Sequence, residues 1–340
     1  MGESEISNKT SWSLSPLHLQ DEEGAPLLVA VVKATFDIGA DGVCTPAEAQ
    51  LPVFVAGDSW GEDAASSSYK YEPDVAFYKP ATDVVVVGHA WPRSSDGGPN
   101  VVGIELGPLR LLAHAVGARR WERALLGWKA TPPEPFERIP LRWEESFGGA
   151  APSREGDQRQ HEPRNPVGKG FCGPGQDPEG LELPRIEHPD EPLTMVRQRR
   201  TPRGFGFVSP HWEPRARLAG CYDDEWREAR APMLPVDFDR RFFNAAPAGL
   251  VADPHLRGDE RVRLLGLTPE GAMAFALPGT RPPAVNASSR RLGDSLIKMR
   301  LDTVIVEPDE RRVQLVWRGH LALDDGPEEI ASILVEETTG

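Results

Sequence analysis

Cysteine is scarce in this chain: Cys44, Cys172 and Cys221 are the three in 340 residues, far apart and odd in number. That excludes a disulfide framework and predicts a reducing compartment. No stretch approaches the ~20 consecutive apolar residues of a membrane helix. Residues 1–10 are polar and lack the apolar centre of a secretory signal. Together these absences predict a cytoplasmic protein that engages no membrane. Basic residues are also in deficit, 38 Lys and Arg against 52 Asp and Glu, for a net charge of −14. A nucleic-acid binder needs cationic surface for phosphates, so nucleic acid is excluded as a partner. A basic protein partner, by contrast, would be steered in by charge.

Proline and glycine are abundant instead, at 34 and 33. They favour short elements joined by turns over long helices. Residues 27–38 predict a long strand. Leu28, Ala30, Val32, Ala34 and Phe36 form its apolar face, and Val29, Val31, Lys33, Thr35 and Asp37 the other, as in a half-buried strand. Residues 83–90 carry four consecutive valines, Val84 to Val87, which suits a strand covered on both faces. Hairpins are predicted for 101–106 with 109–116, 261–266 with 272–277, and 303–306 with 312–318, each pair flanking a turn rich in Gly or Pro. A short strand is expected within 138–143. Helix is expected only at 223–231, with Asp223 as N-cap, and at 326–336. The pattern predicts a mainly β fold of packed antiparallel sheets with long ordered loops. It divides into a β-rich half at 1–150, a Pro, Gly and Arg-rich loop region at 151–214, and a second β-rich half at 215–340.

The segment 134–211 combines Pro and Gly with aromatic and charged residues. A disordered linker would lack the Phe and Trp, and long loops inside a compact chain are usually functional. No catalytic signature emerges from it. Ser146 precedes Phe147-Gly148-Gly149, but Glu144 stands where a hydrolase nucleophile elbow requires Gly. Gly148-Gly149 instead suggests a turn with positive φ. The run 167–171 lacks the upstream Gly and following Ser or Thr of a phosphate loop. His161, His188 and His211 do not have metal-ligand spacing with Cys172 or Cys221. Arg142 and Glu144 would share one face of an extended segment and form an ion pair. Arg240-Arg241-Phe242-Phe243-Asn244 mixes cations with aromatics, either as an interface surface or as a buried Phe pair under Arg stems. The nine tryptophans have no basic interleaving and fit core positions better than base stacking.

The ordered set of motifs resembles the bacterial domain of unknown function 2169 family. The stretches that carry the resemblance include Val31-Val32-Lys33-Ala34-Thr35-Phe36, Asp58-Ser59-Trp60-Gly61 and Ser67-Ser68-Tyr69-Lys70-Tyr71-Glu72-Pro73-Asp74. They continue through the block 140–149, Arg164-Asn165-Pro166-Val167-Gly168-Lys169-Gly170-Phe171, the run 240–247 and Gly266-Leu267-Thr268-Pro269-Glu270-Gly271. The resemblance implies a non-catalytic adaptor or chaperone of the type VI secretion system. Such a protein binds a secreted effector and helps load it onto the spike, the valine-glycine-repeat trimer or its tip protein, with no small-molecule cofactor. The family supplies no agreed active site. The expected partner-binding residues are therefore Arg142, Glu144, Phe147, Asn165, Lys169 and Phe171 of the middle loops, with Arg240, Arg241, Phe242 and Asn244. If Arg142 is exposed, Arg142→Glu should weaken binding and spare the fold. The rival expectations are a hydrolase-like site assembled from Ser146, His161 and Asp157, and a structural component of the secretion apparatus.

Overall fold

The strand Pro26–Ile38 organises the molecule. Its β-branched and small residues favour extended backbone, and its two faces pack into two different apolar clusters. Leu28, Ala30, Val32, Ala34 and Phe36 join the main core. Leu27, Val29 and Val31 join a second cluster, covered by Phe77 and by Leu234, Phe238 and Phe243. The strand is therefore buried on both sides, not half-buried as its alternation predicts. Lys33 and Thr35 have no exposed surface. Asp37 alone of that face is exposed. The polar residues survive burial because chain from elsewhere folds over them with partners. Lys33 Nζ lies 3.1 Å from Asp74 Oδ2 and 3.8 Å from the centre of the Phe54 ring. Thr35 Oγ1 accepts the Leu51 N–H at 3.1 Å.

The computed structural model describes residues 4–63, 66–152, 160–289 and 293–338. Its largest sheet has seven strands, ordered Val251–Ala252, Thr82–Val86, Arg300–Glu307, Arg312–Ala322, Pro26–Ile38 and Ser13–Gln20, with Cys44–Pro46 added to the end of Pro26–Ile38. Most pairs are antiparallel, but Thr82–Val86 runs parallel to Arg300–Glu307. Val84 to Val87 are buried as a fully covered strand requires. A five-stranded sheet carries the first two predicted hairpins side by side, Asn100–Leu106 with Leu109–Ala115 and Arg261–Leu265 with Ala272–Ala276. The third hairpin is Arg300–Glu307 with Arg312–Ala322 in the large sheet. A four-stranded sheet joins Glu5–Asn8, Ile330–Glu336, Ala284–Ser289 and Gly293–Ile297.

The fold is mainly β, as the pattern of short strands predicts. Strands from the two β-rich halves pair within the same sheets, and one apolar cluster holds Val32, Ile104, Leu264, Val285 and Ile333. The halves share that core. Two α-helices occur among the described residues, Arg215–Leu218 and Asp224–Ala229. Asp223 caps the second, its side chain accepting the Trp226 N–H at 2.9 Å. The helix expected at 326–336 is instead one 3₁₀ turn, Pro327–Glu329, followed by the strand Ile330–Glu336. Ile330, Ile333 and Val335 are buried there, and strands on both edges supply the backbone partners. That tertiary pairing overrides the helix propensity of the Glu and Ala residues around them.

Glu307 ends its strand in a dense set of donors. It accepts from Arg312 Nε at 2.7 Å, Arg312 Nη2 at 2.9 Å, Gln314 Nε2 at 2.6 Å and the Tyr71 hydroxyl. Burial pushes its carboxyl up, but the bonds from Arg312, Tyr71 and Gln314 outweigh it and hold it below the ordinary 4.5. A carboxyl depressed by folding contributes stability above its unfolded value, and loses it as pH falls through the folded one. The melting temperature of the native chain should therefore exceed that of Glu307→Gln at pH 7. The gap should narrow below about pH 4.5. A constant gap from pH 7 to pH 3 would contradict this account.

Candidate functional site

The middle loops are ordered by two short segments that cross at close range. Phe147–Gly148 and Lys169–Gly170 pair in parallel. Lys169 N–H donates to Ser146 O at 2.8 Å, Phe171 N–H to Gly148 O at 3.0 Å, and Gly149 N–H to Asn165 O at 2.8 Å. A Cβ on Gly148 would sit 2.1 Å from the Asn165 carbonyl oxygen, so no larger residue fits. Gly149 has φ +100°, the positive value its sequence context suggests. Asn165 locks the crossing. It is fully buried, and its Nδ2 donates to Trp143 O at 2.8 Å and Phe147 O at 3.0 Å.

The charges sort around one turn of 3₁₀ helix, Trp143–Glu145, and the short strand expected within 138–143 is Ile139–Pro140. This turn overturns the expected Arg142–Glu144 ion pair. In a helical turn side chains three apart meet, so Arg142 Nη2 reaches Glu145 Oε1 at 3.1 Å. The Glu145 side chain is 3% exposed, and Lys169 Nζ at 3.1 Å and Arg185 Nη1 at 3.7 Å complete its cationic surround. Glu144 turns toward another loop. Its carboxylate accepts from Ser68 N at 2.8 Å, Ser67 Oγ at 2.9 Å and Ser68 Oγ at 2.7 Å.

The ten residues expected at a partner surface thus take different places. Arg142, Glu144, Phe147, Asn165, Lys169 and Phe171 gather at the crossing. Phe147 and Phe171 are buried, the latter under the Arg199 guanidinium 3.8 Å from its ring centre. Arg240, Arg241, Phe242 and Asn244 lie on or beside the 3₁₀ turn Arg240–Phe243. Arg240 Nε bonds Glu22 Oε1 at 2.6 Å, and Arg241 Nε bonds Asp239 Oδ2 at 2.9 Å. Asn244 is buried, donating to Ala81 O at 2.9 Å and Asp83 Oδ1 at 3.0 Å. Phe242 is half-buried, in ring contact with Phe238 and Phe243. Among the described residues no hydrogen bond or ion pair joins the two groups. Ser146 is fully buried and its Oγ accepts the Arg203 N–H at 2.7 Å. His161 forms a backbone bridge with Ala150, and Asp157 lies outside the described residues. Among the described residues no cluster of three or more His, Cys, Asp or Glu could hold a metal ion, and no helix is long and apolar enough to cross a membrane.

What the crossing supports is a feature the sequence reading passed over. Trp121–Ala124 and Gly127–Ala130 form a β-hairpin. Its root is fixed to the loops, because Trp121, 1% exposed, packs with Phe147, Leu183 and Leu193. Its flanks are steadied by Glu122 with Lys129 at 3.0 Å and by Arg123 over Trp128 at 5.1 Å. Its two-residue turn is Leu125-Leu126, 99% and 95% exposed. Two-residue hairpin turns favour Asn, Asp and Gly. Leucines here forgo about 1.5–3 kcal/mol each of available burial. The available signal was Leu-Leu-Gly between two tryptophans, apolar residues where turn chemistry calls for polar ones.

The placement separates structural from surface arginines. Arg142 is 35% exposed at its side chain and Arg241 is 71% exposed. Contrary to the expectation for an exposed Arg142, Arg142→Glu would put a second carboxylate beside buried Glu145. It should destabilise the chain by roughly 1–3 kcal/mol, whereas Arg241→Glu should stay within about 0.5 kcal/mol of the native value. Urea unfolding of both variants checks this. Equal midpoints would refute the placement.

A family model described as "Uncharacterized protein conserved in bacteria (DUF2169)" matches residues 23–318. No curated protein and no solved structure matches the chain.

Proposed function

From its place in the DUF2169 family, to which the chain belongs, and from the solvated Leu125-Leu126 tip, we propose that this protein is a type VI secretion adaptor. It binds an effector in the producing cell and helps load it onto the spike, the valine-glycine-repeat trimer or its tip protein. The tip is the observation that carries the reading. Two leucines held out on a rooted hairpin are an apolar anchor presented with little conformational freedom left to lose. A small anchor of this kind suits a carrier that must later release its load, since an extended apolar interface would hold it. The partner surface that fits it is an apolar pocket with basic surroundings, because the chain's net charge of −14 attracts cationic protein.

The test is co-purification of the tagged full chain from host cells expressing the neighbouring genes, with retained proteins identified by mass spectrometry. A toxin or spike-tip protein should be recovered in stoichiometric amount. A chain carrying both Leu125→Asp and Leu126→Asp should keep its melting temperature and retain at least about tenfold less of that partner, the equivalent of about 1.4 kcal/mol. A clean chain without partner would overturn the adaptor reading. Undiminished recovery with the double variant would overturn the role of the tip.

A further inference from the structure

The strands Arg300–Glu307 and Arg312–Ala322 place two arginines directly opposite one another. Arg300 and Arg318 are register partners in an antiparallel pair, so their side chains leave the same face of the sheet. Like charges in that position repel. Neighbouring acids relieve the repulsion on the Arg318 side alone. Asp302 accepts from Arg318 Nε at 2.5 Å. Lys79, close by, is matched by Asp83 at 2.9 Å. Arg300 and Lys298, both exposed, form no ion pair with any described residue. A cavity of about 220 Å³ opens here, lined by Lys79, Lys298, Arg300, Asp302, Arg318 and His320, with Phe77 and Tyr78 as its apolar wall. Its lining carries four permanent cations against one carboxylate, in a chain whose net charge is −14.

Arg318 points to what the cavity accepts. It is 5% exposed, and its Nη1 donates to Asp74 O at 2.7 Å and Ala76 O at 2.9 Å. Its Nη2 is buried with no hydrogen-bond partner. The guanidinium charge, held in place by the Nη1 bonds, favours an anion in the adjoining cavity. We infer that this cavity is a binding site for a small oxyanion, a phosphate or a carboxylate on a short stem. Arg318 lines the cavity and adds positive charge beneath it, and Lys298 and Arg300 supply the outer charges. The volume falls below the roughly 300–1,000 Å³ of pockets for drug-sized ligands, which suits an ion or the end of a peptide over a nucleotide.

The test is isothermal titration of the full chain at constant ionic strength, with chloride as the reference anion. One arm uses inorganic phosphate, the other N-acetylglycine, which presents a carboxylate at the end of a peptide-like stem. At least one should bind saturably at one site. Phosphate alone would identify a free-ion site, N-acetylglycine alone a chain-end site, and both the shared chemistry. A chain with Lys298→Ala and Arg300→Ala should bind at least about tenfold more weakly, about 1.4 kcal/mol. It should melt no lower than native in chloride, since both side chains are exposed and one cross-strand repulsion is gone. Absence of saturable binding in both arms, or equal binding by the double variant, would overturn the inference. The experiment requires no effector, so its failure is separate from failure of the adaptor reading.

Discussion

The pairing of Pro26–Ile38 with Arg312–Ala322 is the constraint on which the rest of the structure depends. Leu27 to Asp37 meets Ala322 to Arg312 residue for residue, and Trp12 stacks on Trp317 at 5.3 Å beside it. Because this ribbon is buried on both faces, neither side can be left to solvent. The five- and four-stranded sheets contribute to its cover on one side. On the other the cover comes from chain with little regular structure, the residues around Phe77 and those from Leu234 to Phe243. Loops are therefore a layer of this fold, and their aromatic residues serve as its core.

Burying irregular chain against a sheet brings charge inside, and the molecule handles that charge by pairing it. Lys33 with Asp74, Lys79 with Asp83 and Arg318 with Asp302 all lie at or near full burial. Losing one partner of such a pair leaves a buried charge uncompensated. Glu145 follows the same logic in the middle loops, where three cations surround one carboxylate. Specific position is obtained there without a regular ladder of backbone bonds.

The hairpins were legible because alternation and turn residues are local signals, and Gly107-Pro108 or the Gly271 turn announce themselves within a few residues. The two-sided burial of Lys33 and Thr35 was not, since the residues that cover them come from 51–54 and 74. Ile330–Glu336 reads as helix by composition and becomes strand through neighbours at 5–8 and 284–289. At the middle loops the important types were visible, Gly, Asn, Glu, Arg and Phe, but which carboxylate faced the cations depended on a single 3₁₀ turn. The sequence motifs there describe the support of a surface. The proposed surface is the exposed tip at Leu125 and Leu126, where a short apolar pair carries almost no periodic signal.

The central ribbon also sets an order of events during biosynthesis. Synthesis proceeds from the N-terminus at roughly 5–20 residues per second, so Pro26–Ile38 emerges on the order of tens of seconds before Arg312–Ala322. Until then it can pair with Ser13–Gln20 on one side, while its other edge shows unpaired backbone and several valines to solvent. Such an edge recruits other strands readily. The nascent chain is thus most prone to self-association before Arg312–Ala322 emerges, and that strand is the closure that ends the exposure.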